Sequence, residues 1–508
     1  MLHYNTAEID LESLSDRELD YIYNGLDCCI THELVDKLRP KLDQHTKQIH
    51  DFTFALQAIC MDMSLSGILI DQKIRSIIMH KTEQERNEAL ELLNELALAL
   101  WGKPLNPDSP KQCAEFFYNF LGLPKQYKRG SKGPTTDDSA LEVLKNYFYA
   151  RPFVSLIKTT RDLKKKLEAL NARVSPDGRM RAQFKATGTE TGRFSSSKNV
   201  FGEGLNLQNQ NEFAKRMYVA DPGYKLAYID LEQAESRMLA AFIYALFGDS
   251  SYLDACESGD LHTTVCKMIW PELDWPNTPK EDKALAESPF YRHFSHRDMA
   301  KRGGHGTNYY GKPPHMAKQL NVDTILMANF QEAYFKAFPG IPRYHQWIIE
   351  TLHTTRTLIN PFGRKRIFFG RPDADETLRE AIAFLPQSSI ADLMNLGLWK
   401  VWHKYGRQAV QVKNQVHDAM LIQYREQDED ELIPAILNLI PHPLRARDRE
   451  IIIPCTAETG WNWGKYDPKK KLWEDQNPDG LKEYEGHDSR QRSEIPKTKN
   501  SLLDRIVF

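Results

Sequence analysis

The stretch Leu226-Ala227-Tyr228-Ile229-Asp230-Leu231-Glu232-Gln233-Ala234-Glu235-Ser236-Arg237 joins an apolar run to a polar, helix-forming continuation. The run that ends at Asp230 predicts a strand, and the residues after it open a helix. A carboxylate at a strand end can point into a cleft and bind a metal ion. Its alternative role is to cap the following helix, a position at which aspartate is strongly favoured.

A second carboxylate, Asp418, lies between two further apolar runs that also predict strands. The order Val416-His417-Asp418-Ala419 is typical of a hairpin turn, in which an aspartate commonly has only a conformational role. If both aspartates lay in one cleft, a metal-binding role would be favoured, because two cations held by carboxylates suit an in-line displacement at phosphorus. The residues alone leave both interpretations open.

Four side chains recur at every fourth position, namely Arg297, Lys301, His305 and Tyr309. On a helix this spacing places them in one slowly drifting stripe, about 6 Å apart along the axis. A guanidinium, an ammonium and two rings suit a polyphosphate followed by a base or sugar. A solvated basic face is the competing interpretation. Glycines within the same stretch indicate close backbone approach, a hinge or a poorer helix.

The composition is that of an ordinary soluble globular protein, since 41% of the 508 residues are hydrophobic and 27% are charged. The net charge of -2 gives no global attraction to nucleic acid, so a polyanion would need local basic patches. The cysteines form no CxxC pair, which argues against a thiolate zinc site and a disulfide framework. A reducing cytoplasm, bacterial or of a phage-infected host, is therefore expected. No apolar run approaches the ~18 residues of a membrane span, so no membrane partner is expected.

These segments together resemble the motifs of family A DNA polymerases. Residues 230–237 resemble motif A, 297–311 resemble the motif B helix, and 416–418 resemble motif C. Further similar segments occur in the expected order at 191–197, 206–209, 259–262, 362–366, Arg379 with Gln387, and 458–463. The resemblance covers roughly residues 20–464.

The resemblance implies an α+β, right-hand polymerase fold with a thumb, a palm that contains an antiparallel sheet, and helical fingers. The divisions that it implies are a remnant of a 3′–5′ exonuclease domain or N-terminal extension (1–45), a thumb with the palm-entry segment (46–175), a first palm part (176–240), fingers (241–374), a second palm part (375–464) and a charged, flexible C-terminal tail (465–508).

The implied function is a template-directed DNA polymerase that adds dNTPs to a primer 3′-hydroxyl by two-metal-ion nucleotidyl transfer, with release of pyrophosphate. Asp230 and Asp418 would hold two Mg²⁺ ions, for which Mn²⁺ could substitute, and Lys301 would protonate the leaving pyrophosphate. The implied nucleotide-binding residues, among which Glu235 would block a ribose 2′-hydroxyl, are Arg297, Lys301, His305, Tyr309, Glu235, Gln233 and His262. The implied DNA-binding residues are Arg193, Asn206, Gln208, Arg379, Gln387 and His417, with a basic loop at 128–132.

The chain departs from the family pattern at several places. His305 stands where the family usually has Phe or Tyr, and altered discrimination against dideoxynucleotides is expected. Ala419 replaces the acidic residue that commonly follows motif C, although two carboxylates still suffice for two metals. Extra residues at 270–294 enlarge the fingers.

The segment Tyr23-Asn24-Gly25-Leu26-Asp27 resembles the last motif of the family's 3′–5′ exonuclease domain. One aspartate cannot assemble a two-metal site, so no intrinsic proofreading is expected of this chain alone. Besides primer–template DNA and dNTPs, the candidate partners are a separate exonuclease, a clamp, and a helicase or primase.

Two other functions compete with this one. A single-subunit RNA polymerase relative would share the palm and both motifs, but Glu235 argues against it because the RNA-making relatives lack that residue. A catalytically degenerate, DNA-binding replication scaffold is the other alternative. The presence of Asp230, Asp418, Arg297 and Lys301 together argues against the scaffold.

Overall fold

The computed structural model describes residues 13–128, 130, 133–292, 294–470 and 476–486. The first residues of the N-terminal segment, most of the basic loop at 128–132 and the end of the C-terminal tail therefore lie outside the described residues. Among the described helices, none combines the length and the apolar content that a membrane crossing requires.

The described elements are numbered in chain order. The α-helices are α1 (Asp16–Leu38), α2 (Gln44–Ser66), α3 (Gln72–Trp101), α4 (Pro110–Ala114), α5 (Asp138–Leu144), α6 (Arg151–Leu170), α7 (Glu212–Lys215), α8 (Ala234–Phe247), α9 (Ser251–Glu257), α10 (Leu261–Ile269), α11 (Pro279–Ala286), α12 (His296–Asn308), α13 (Pro313–Leu320), α14 (Thr324–Ala337), α15 (Gly340–Thr354), α16 (Asp375–Ala409) and α17 (Glu429–Leu439). The strands are β1 (Ile68–Ile70), β2 (Arg179–Met180), β3 (Gln183–Lys185), β4 (Ser195–Ser197), β5 (Tyr218–Val219), β6 (Tyr224–Leu231), β7 (Pro289–Tyr291), β8 (Phe294–Ser295), β9 (Thr357–Ile359), β10 (Lys365–Ile367), β11 (Val410–Val416), β12 (Ala419–Arg425), β13 (Leu444–Ala446), β14 (Arg449–Ile451), β15 (Cys455–Gly460) and β16 (Lys482–Glu483).

A five-stranded sheet with the order β11-β12-β6-β15-β16 supports the site. All of its ladders are antiparallel. Along the central strand β6, Ala227, Ile229 and Leu231 are buried, whereas Tyr228 and Asp230 are only half-buried. Because side chains alternate along a strand, β6 turns one face to the core and the other, with Asp230, away from it.

The long helix α16 packs against β11, β12 and α8. Its central residues, among them Ile390, Leu393 and Leu398, are fully buried. Pro386 lies within the helix, and Gly406 has a φ of 61°, which marks a kink before the chain enters β11. This helix therefore joins the core of the sheet to the core of the neighbouring helices.

The predicted helical stripe lies on α12, which packs against α14 through its glycines. A Cβ at Gly303 would lie 2.7 Å from the Phe330 ring, and a Cβ at Gly304 would lie 3.1 Å from Tyr334. Of the three interpretations that these glycines left open, the distances support close backbone approach. Lys301 and His305 remain exposed on the same helix.

Helices α3 and α6 pack together and have an apolar core of their own. This second core includes Leu93, Phe116, Phe117 and Ile157, all of them fully buried. Helix α3 begins at Gln72, where the Asp71 side chain caps it by accepting two backbone N–H groups.

The described N-terminal helix α1 stands apart from both cores. None of its 23 residues is buried, and Tyr23 of the exonuclease-like motif is 65% exposed. Asp27 is likewise exposed. The motif therefore lies on a solvent-facing helix.

The prediction of a flexible tail from residue 465 is wrong for the described part of that segment. Strand β16 pairs with β15 and completes the five-stranded sheet. Leu481 is 4% exposed, and Asn462 and Asn477 exchange two buried amide hydrogen bonds of 2.8 and 2.9 Å. Hydrogen bonds of the backbone and of side-chain amides hold this segment in place. Because such contacts need no apolar periodicity, the sequence gives no sign of them.

Candidate active site

The two predicted metal-binding aspartates lie on adjacent elements of the central sheet. Asp230 is paired in register with Ala419, the residue after Asp418, across the β6–β12 ladder. The two-residue turn places His417 at a φ of 56°, and the Leu231 amide donates to the Asp418 carbonyl at 3.2 Å. Segments far apart in the chain thus bring both carboxylates to one end of these strands.

Burial raises the pKa of both carboxyl groups. For Asp230 the largest cause is desolvation, followed by the charges of Asp418 and Glu458, and its pKa rises to about 7. The pKa of Asp418 is also raised, mainly by burial and further by the Glu235 charge. The pair therefore has an excess of negative charge, which a divalent cation would relieve.

No cluster of three or more His, Cys, Asp or Glu side chains that could hold a metal ion occurs within the described residues. The contribution of the chain at this point is therefore the pair Asp230 and Asp418. This donor set fits Mg²⁺, which keeps several waters and is commonly held by only one or two protein carboxylates.

Helix α12 presents Lys301 and His305 of the predicted stripe to the cleft that Asp418 also lines. Ser295 and Asp298 form a capping box at its start. The Arg297 guanidinium lies in the same turn, with Nη2 3.0 Å from Asp260 Oδ1. One turn further along, Lys301 is exposed. A guanidinium held by an ion pair is thus followed by an exposed ammonium, an arrangement that suits the binding of a polyphosphate.

Helix α10 brings His262 close to the same cations. Asp260 caps this helix by accepting from the Thr263 amide at 3.3 Å, so one carboxylate joins α10 to Arg297. Burial, and then the Arg297 charge, lower the pKa of His262 to about 4. The imidazole is therefore neutral at neutral pH, and it can form hydrogen bonds without adding charge next to Arg297 and Lys301.

Glu235 is held by groups from two parts of the chain, Arg193 and the end of α12. Its Oε1 accepts from Arg193 Nη2 at 3.0 Å, and its Oε2 accepts from the Tyr309 hydroxyl at 2.7 Å. His305 Nδ1 lies 3.9 Å from Oε2, and the His305 ring packs edge-on against Tyr309. Burial, and then the Glu235 charge, raise the pKa of Tyr309, so this phenol remains a donor.

Six of the predicted site residues line a cleft of about 620 Å³, within the range of roughly 300–1,000 Å³ that is typical of small-molecule sites. Asp230, Arg297 and Tyr309 are not among the described residues that line it. The predicted site residues that line it are Gln233, Glu235, His262, Lys301, His305 and Asp418. Gln233 has a φ of 51°, and its buried Oε1 has no hydrogen-bond partner among the described residues. That oxygen can accept a hydrogen bond from a bound molecule.

A sequence model of DNA polymerase family A matches residues 77–465, which is more than half of the chain. The chain belongs to DNA polymerase family A.

Curated relatives of this family A chain are DNA polymerases I of bacteria. The Helicobacter pylori (strain ATCC 700392 / 26695) protein is 29% identical over 405 residues, which are 76% of this chain and 41% of that protein. The thermostable enzyme of Thermus aquaticus is 28% identical over 396 residues, which are 72% of this chain and 42% of that protein. The family A chain thus spans about two fifths of the length of these relatives.

Among solved structures, the POL domain of Pol1 from M. smegmatis, in complex with DNA primer-template and dNTP, matches with a TM-score of 0.64. The identity is 23%, and the match covers 80% of this chain and 69% of that one. The predicted α+β, right-hand polymerase fold is thereby confirmed for this family A member.

Two of the predicted DNA-binding residues of this family A protein make contacts within the protein. Asn206 Oδ1 accepts from the Ser196 hydroxyl at 2.8 Å and from the Gln208 amide at 2.9 Å. Gln208 Nε2 donates to the carbonyls of Phe194 and Gln415 at 3.0 and 2.8 Å. The Gln208 side chain therefore fixes this segment against β11, and the Asn206 side chain fixes it against β4. The sequence did not indicate either contact.

The other predicted DNA-binding residues are placed differently from one another. Arg193 pairs with Glu235, a contact that sequence reasoning missed. His417 and Arg379 are exposed, whereas Gln387 is half-buried on α16. Their contacts with DNA stay a prediction.

Sequence reasoning also missed the residues that position Arg193. Asn395 Nδ2 donates to the Gly192 carbonyl at 2.9 Å. A Cβ at Gly192 would lie 2.5 Å from the guanidinium of Arg364, which pairs with the fully buried Asp392 at 2.7 Å. The family-like segments at 191–197 and 362–366 are therefore in direct contact, a relation that no local signal reveals.

Proposed function

We propose that this chain is a template-directed DNA polymerase that adds dNTPs to a primer 3′-hydroxyl and releases pyrophosphate. The observation that carries the proposal is the convergence of Asp230 and Asp418 next to the cationic helix α12. Carboxylates and cations on either side of one cleft suit a polyphosphate substrate whose transfer requires a divalent cation.

Asp230 and Asp418 are the residues that would hold Mg²⁺, and Mn²⁺ could replace it. When bound, such ions activate the primer 3′-hydroxyl and neutralise the leaving pyrophosphate. Burial, and then the charges of Asp418 and Glu458, raise the pKa of Asp230 to about 7, and this supports the assignment because a bound cation would favour the charged carboxylate.

Arg297, Lys301 and His262 would bind the triphosphate. The Arg297 guanidinium is oriented by Asp260, which suits bidentate contact with phosphate oxygens. His262 is neutral and would donate one hydrogen bond. Lys301 is exposed at the cleft, so its ammonium can follow the pyrophosphate and protonate it on departure.

Glu235, Tyr309, Gln233 and His305 would surround the sugar and base of the incoming nucleotide. Arg193 and Tyr309 hold both oxygens of Glu235, so this carboxylate cannot readily yield to a ribose 2′-hydroxyl. Gln233 Oε1 offers a further acceptor. This arrangement supports a preference for deoxynucleotides.

Primer–template DNA would lie along the sheet, in contact with Arg193, Arg379, Gln387 and His417. The separate apolar core of α3 and α6 supports a thumb within 46–175. The central sheet and α16 would form the palm, from 176–240 and 375–464, with fingers between these two segments.

Primer extension tests the proposal. A primed DNA template with Mg²⁺ and either dNTPs or rNTPs would be given to the wild-type chain, to Asp230→Ala and to Asp418→Ala. Glu450→Gln, a change at an exposed carboxylate on β14, is the matched control. We expect extension with dNTPs only, its loss in both aspartate variants and its retention in the control. Tight primer–template binding without extension by the wild type would instead support the scaffold alternative.

A further inference from the structure

A third carboxylate, Glu458, faces the same side of the sheet as the aspartate pair. In the β15–β6 ladder, Thr456 is opposite Asp230 and Glu458 is opposite Tyr228. Directly opposed residues share a face, and so do residues two apart on one strand. Asp230 is therefore flanked by the Asp418 turn on one side and by the strand with Glu458 on the other.

The two oxygens of Glu458 differ in their contacts. Oε1 accepts a hydrogen bond from Lys465 Nζ at 3.1 Å. Oε2 is buried and has no hydrogen-bond partner among the described residues. A buried carboxylate oxygen without a partner is costly, so it indicates an acceptor that a water or a hydrated ion can satisfy.

Glu458 and Lys465 act on Asp230 in opposite directions. Glu458 lies on the face of the sheet that Asp230 shares, and its carboxylate pairs with the Lys465 ammonium at 3.1 Å, so charges of opposite sign lie beside the aspartate pair. The ion pair is thus electrostatically part of the site, although it lies on a different strand.

Ala419 explains why a carboxylate at 458 would matter in this chain. Its methyl group stands directly opposite Asp230 and is fully buried. It occupies the position at which the family commonly has an acidic residue, so that position supplies no charge here.

We propose that Glu458 is a positioning residue that replaces the missing acid of position 419 and strengthens cation binding by Asp230 and Asp418. Lys465 is its counter-ion when no metal is bound. Glu458 acts through hydrating water and through its charge, in keeping with the absence of a three-ligand cluster in the described residues. This inference rests on the proposed polymerase function.

Binding of Mn²⁺ to the full chain, followed by electron paramagnetic resonance without DNA or nucleotide, tests the inference. Glu458→Gln should weaken Mn²⁺ binding roughly tenfold, as expected for the loss of one nearby charge in a partly buried site. Lys465→Gln should strengthen it roughly twofold to fivefold. Glu483→Gln removes an exposed carboxylate opposite Glu458 on β16 and should leave the binding unchanged.

A relocation variant makes the test specific. Ala419→Glu combined with Glu458→Gln should restore Mn²⁺ affinity and lower the Mg²⁺ concentration at half-maximal primer extension to the wild-type value. The thermal unfolding midpoint of each variant would show that it is folded. Glu458→Asp keeps the charge and should therefore bind Mn²⁺ nearly as tightly as the wild type does.

The outcomes separate the two claims. If Asp230→Ala abolishes Mn²⁺ binding and extension while Glu458→Gln changes neither Mn²⁺ affinity nor Mg²⁺ dependence, this inference is wrong and the proposed function stands. An equal effect of Glu483→Gln would also overturn it, because any local charge would then suffice. If Asp230→Ala leaves extension intact, the assignment of Asp230 as a metal-binding residue is wrong and this inference falls with it. If the wild type does not extend a primer, the proposed function itself fails.

Discussion

The Tyr309 hydroxyl donates a 2.7 Å hydrogen bond to Glu235 Oε2 and thereby joins the end of α12 to the first turn of α8. The Arg193 guanidinium holds the other oxygen of the same carboxylate at 3.0 Å. Glu235 is therefore fixed from two sides. A carboxylate fixed in this way can exclude a 2′-hydroxyl on the sugar of a bound nucleotide, whereas a free carboxylate would move aside.

We expect Glu235→Ala to relax discrimination against ribonucleotides. The change opens space and removes a negative charge where a 2′-hydroxyl would lie, so the ratio of rNTP to dNTP incorporation should rise by about 10–100-fold. Single-nucleotide incorporation kinetics would measure that ratio. Tyr309→Phe keeps the ring and loses only the hydrogen bond, so it should give a smaller rise. Equal ratios in Glu235→Ala and the wild type would show that Glu235 is not the discriminating group.

The buried ion pair between Arg364 and Asp392 should be essential to stability. Asp392 is fully buried and accepts from Arg364 Nη2 at 2.7 Å and from Asn360 Nδ2 at 2.8 Å. Asp392→Asn would leave the guanidinium without its counter-charge, at a cost of roughly 3–5 kcal/mol. The thermal unfolding midpoint would fall accordingly.

The exposed pair of Arg366 and Glu380 is the matched control for this prediction. Glu380 is 48% exposed, and its loss in Glu380→Gln should cost at most about 1 kcal/mol. The prediction fails if both variants unfold at the same temperature.

Local features of the site could be predicted from the sequence, because local rules determine them. Asp230 ends an apolar run and Asp418 lies between two such runs, so a strand and a hairpin turn followed from alternation and turn composition. The four-residue spacing from Arg297 to Tyr309 likewise predicted one helical face.

The contacts between these elements could not be predicted in the same way. Arg193 pairs with Glu235, and this contact could not be predicted because nothing in either segment marks the other as its partner. Glu458 lies on the face of Asp230 only because of the β15–β6 register. Residues 476–486 have no strand pattern, and their order depends on pairing with β15. All three contacts depend on how distant segments pair in the folded protein, and the periodicity of a single sequence does not encode that pairing.

Gly303 should tolerate no side chain. Its added Cβ would meet Phe330 at 2.7 Å, and that ring is buried and cannot swing into solvent. Overpacking of this kind costs about 1–3 kcal/mol, against a helix-propensity gain of about 1 kcal/mol for alanine over glycine. Gly303→Ala should therefore lower the unfolding midpoint and, by displacing α12, raise the KM for dNTPs.

Gly25→Ala on α1 provides the comparison for that substitution. No atom lies within 4 Å of a Cβ at this position, so the helix-propensity gain is unopposed and the midpoint should not fall. A Gly303→Ala variant as stable as Gly25→Ala would refute the packing argument.

Lys413 should make the stability of the protein depend on pH in the alkaline range. The residue is 1% exposed on β11, and its Nζ donates to the Gly67 carbonyl at 3.0 Å. Burial lowers its pKa from 10.5 to about 8, with a smaller opposing effect from Asp221. Below about pH 8 the folded protein therefore has a buried charge, and the full cost of that burial is present.

Between about pH 8 and pH 10.5 the folded protein has released a proton that the unfolded chain still binds, so the contribution of this group to stability rises with pH. The rise is bounded by roughly 3 kcal/mol, since one pKa unit corresponds to 1.36 kcal/mol. The unfolding midpoints of the wild type and of Lys413→Met would be measured from pH 7 to pH 10. The difference between the two midpoints should shift in favour of the wild type as pH increases. Lys280→Met controls for the loss of one surface charge. Parallel curves for the wild type and Lys413→Met would contradict this prediction, because they would show that burial does not lower the pKa of Lys413.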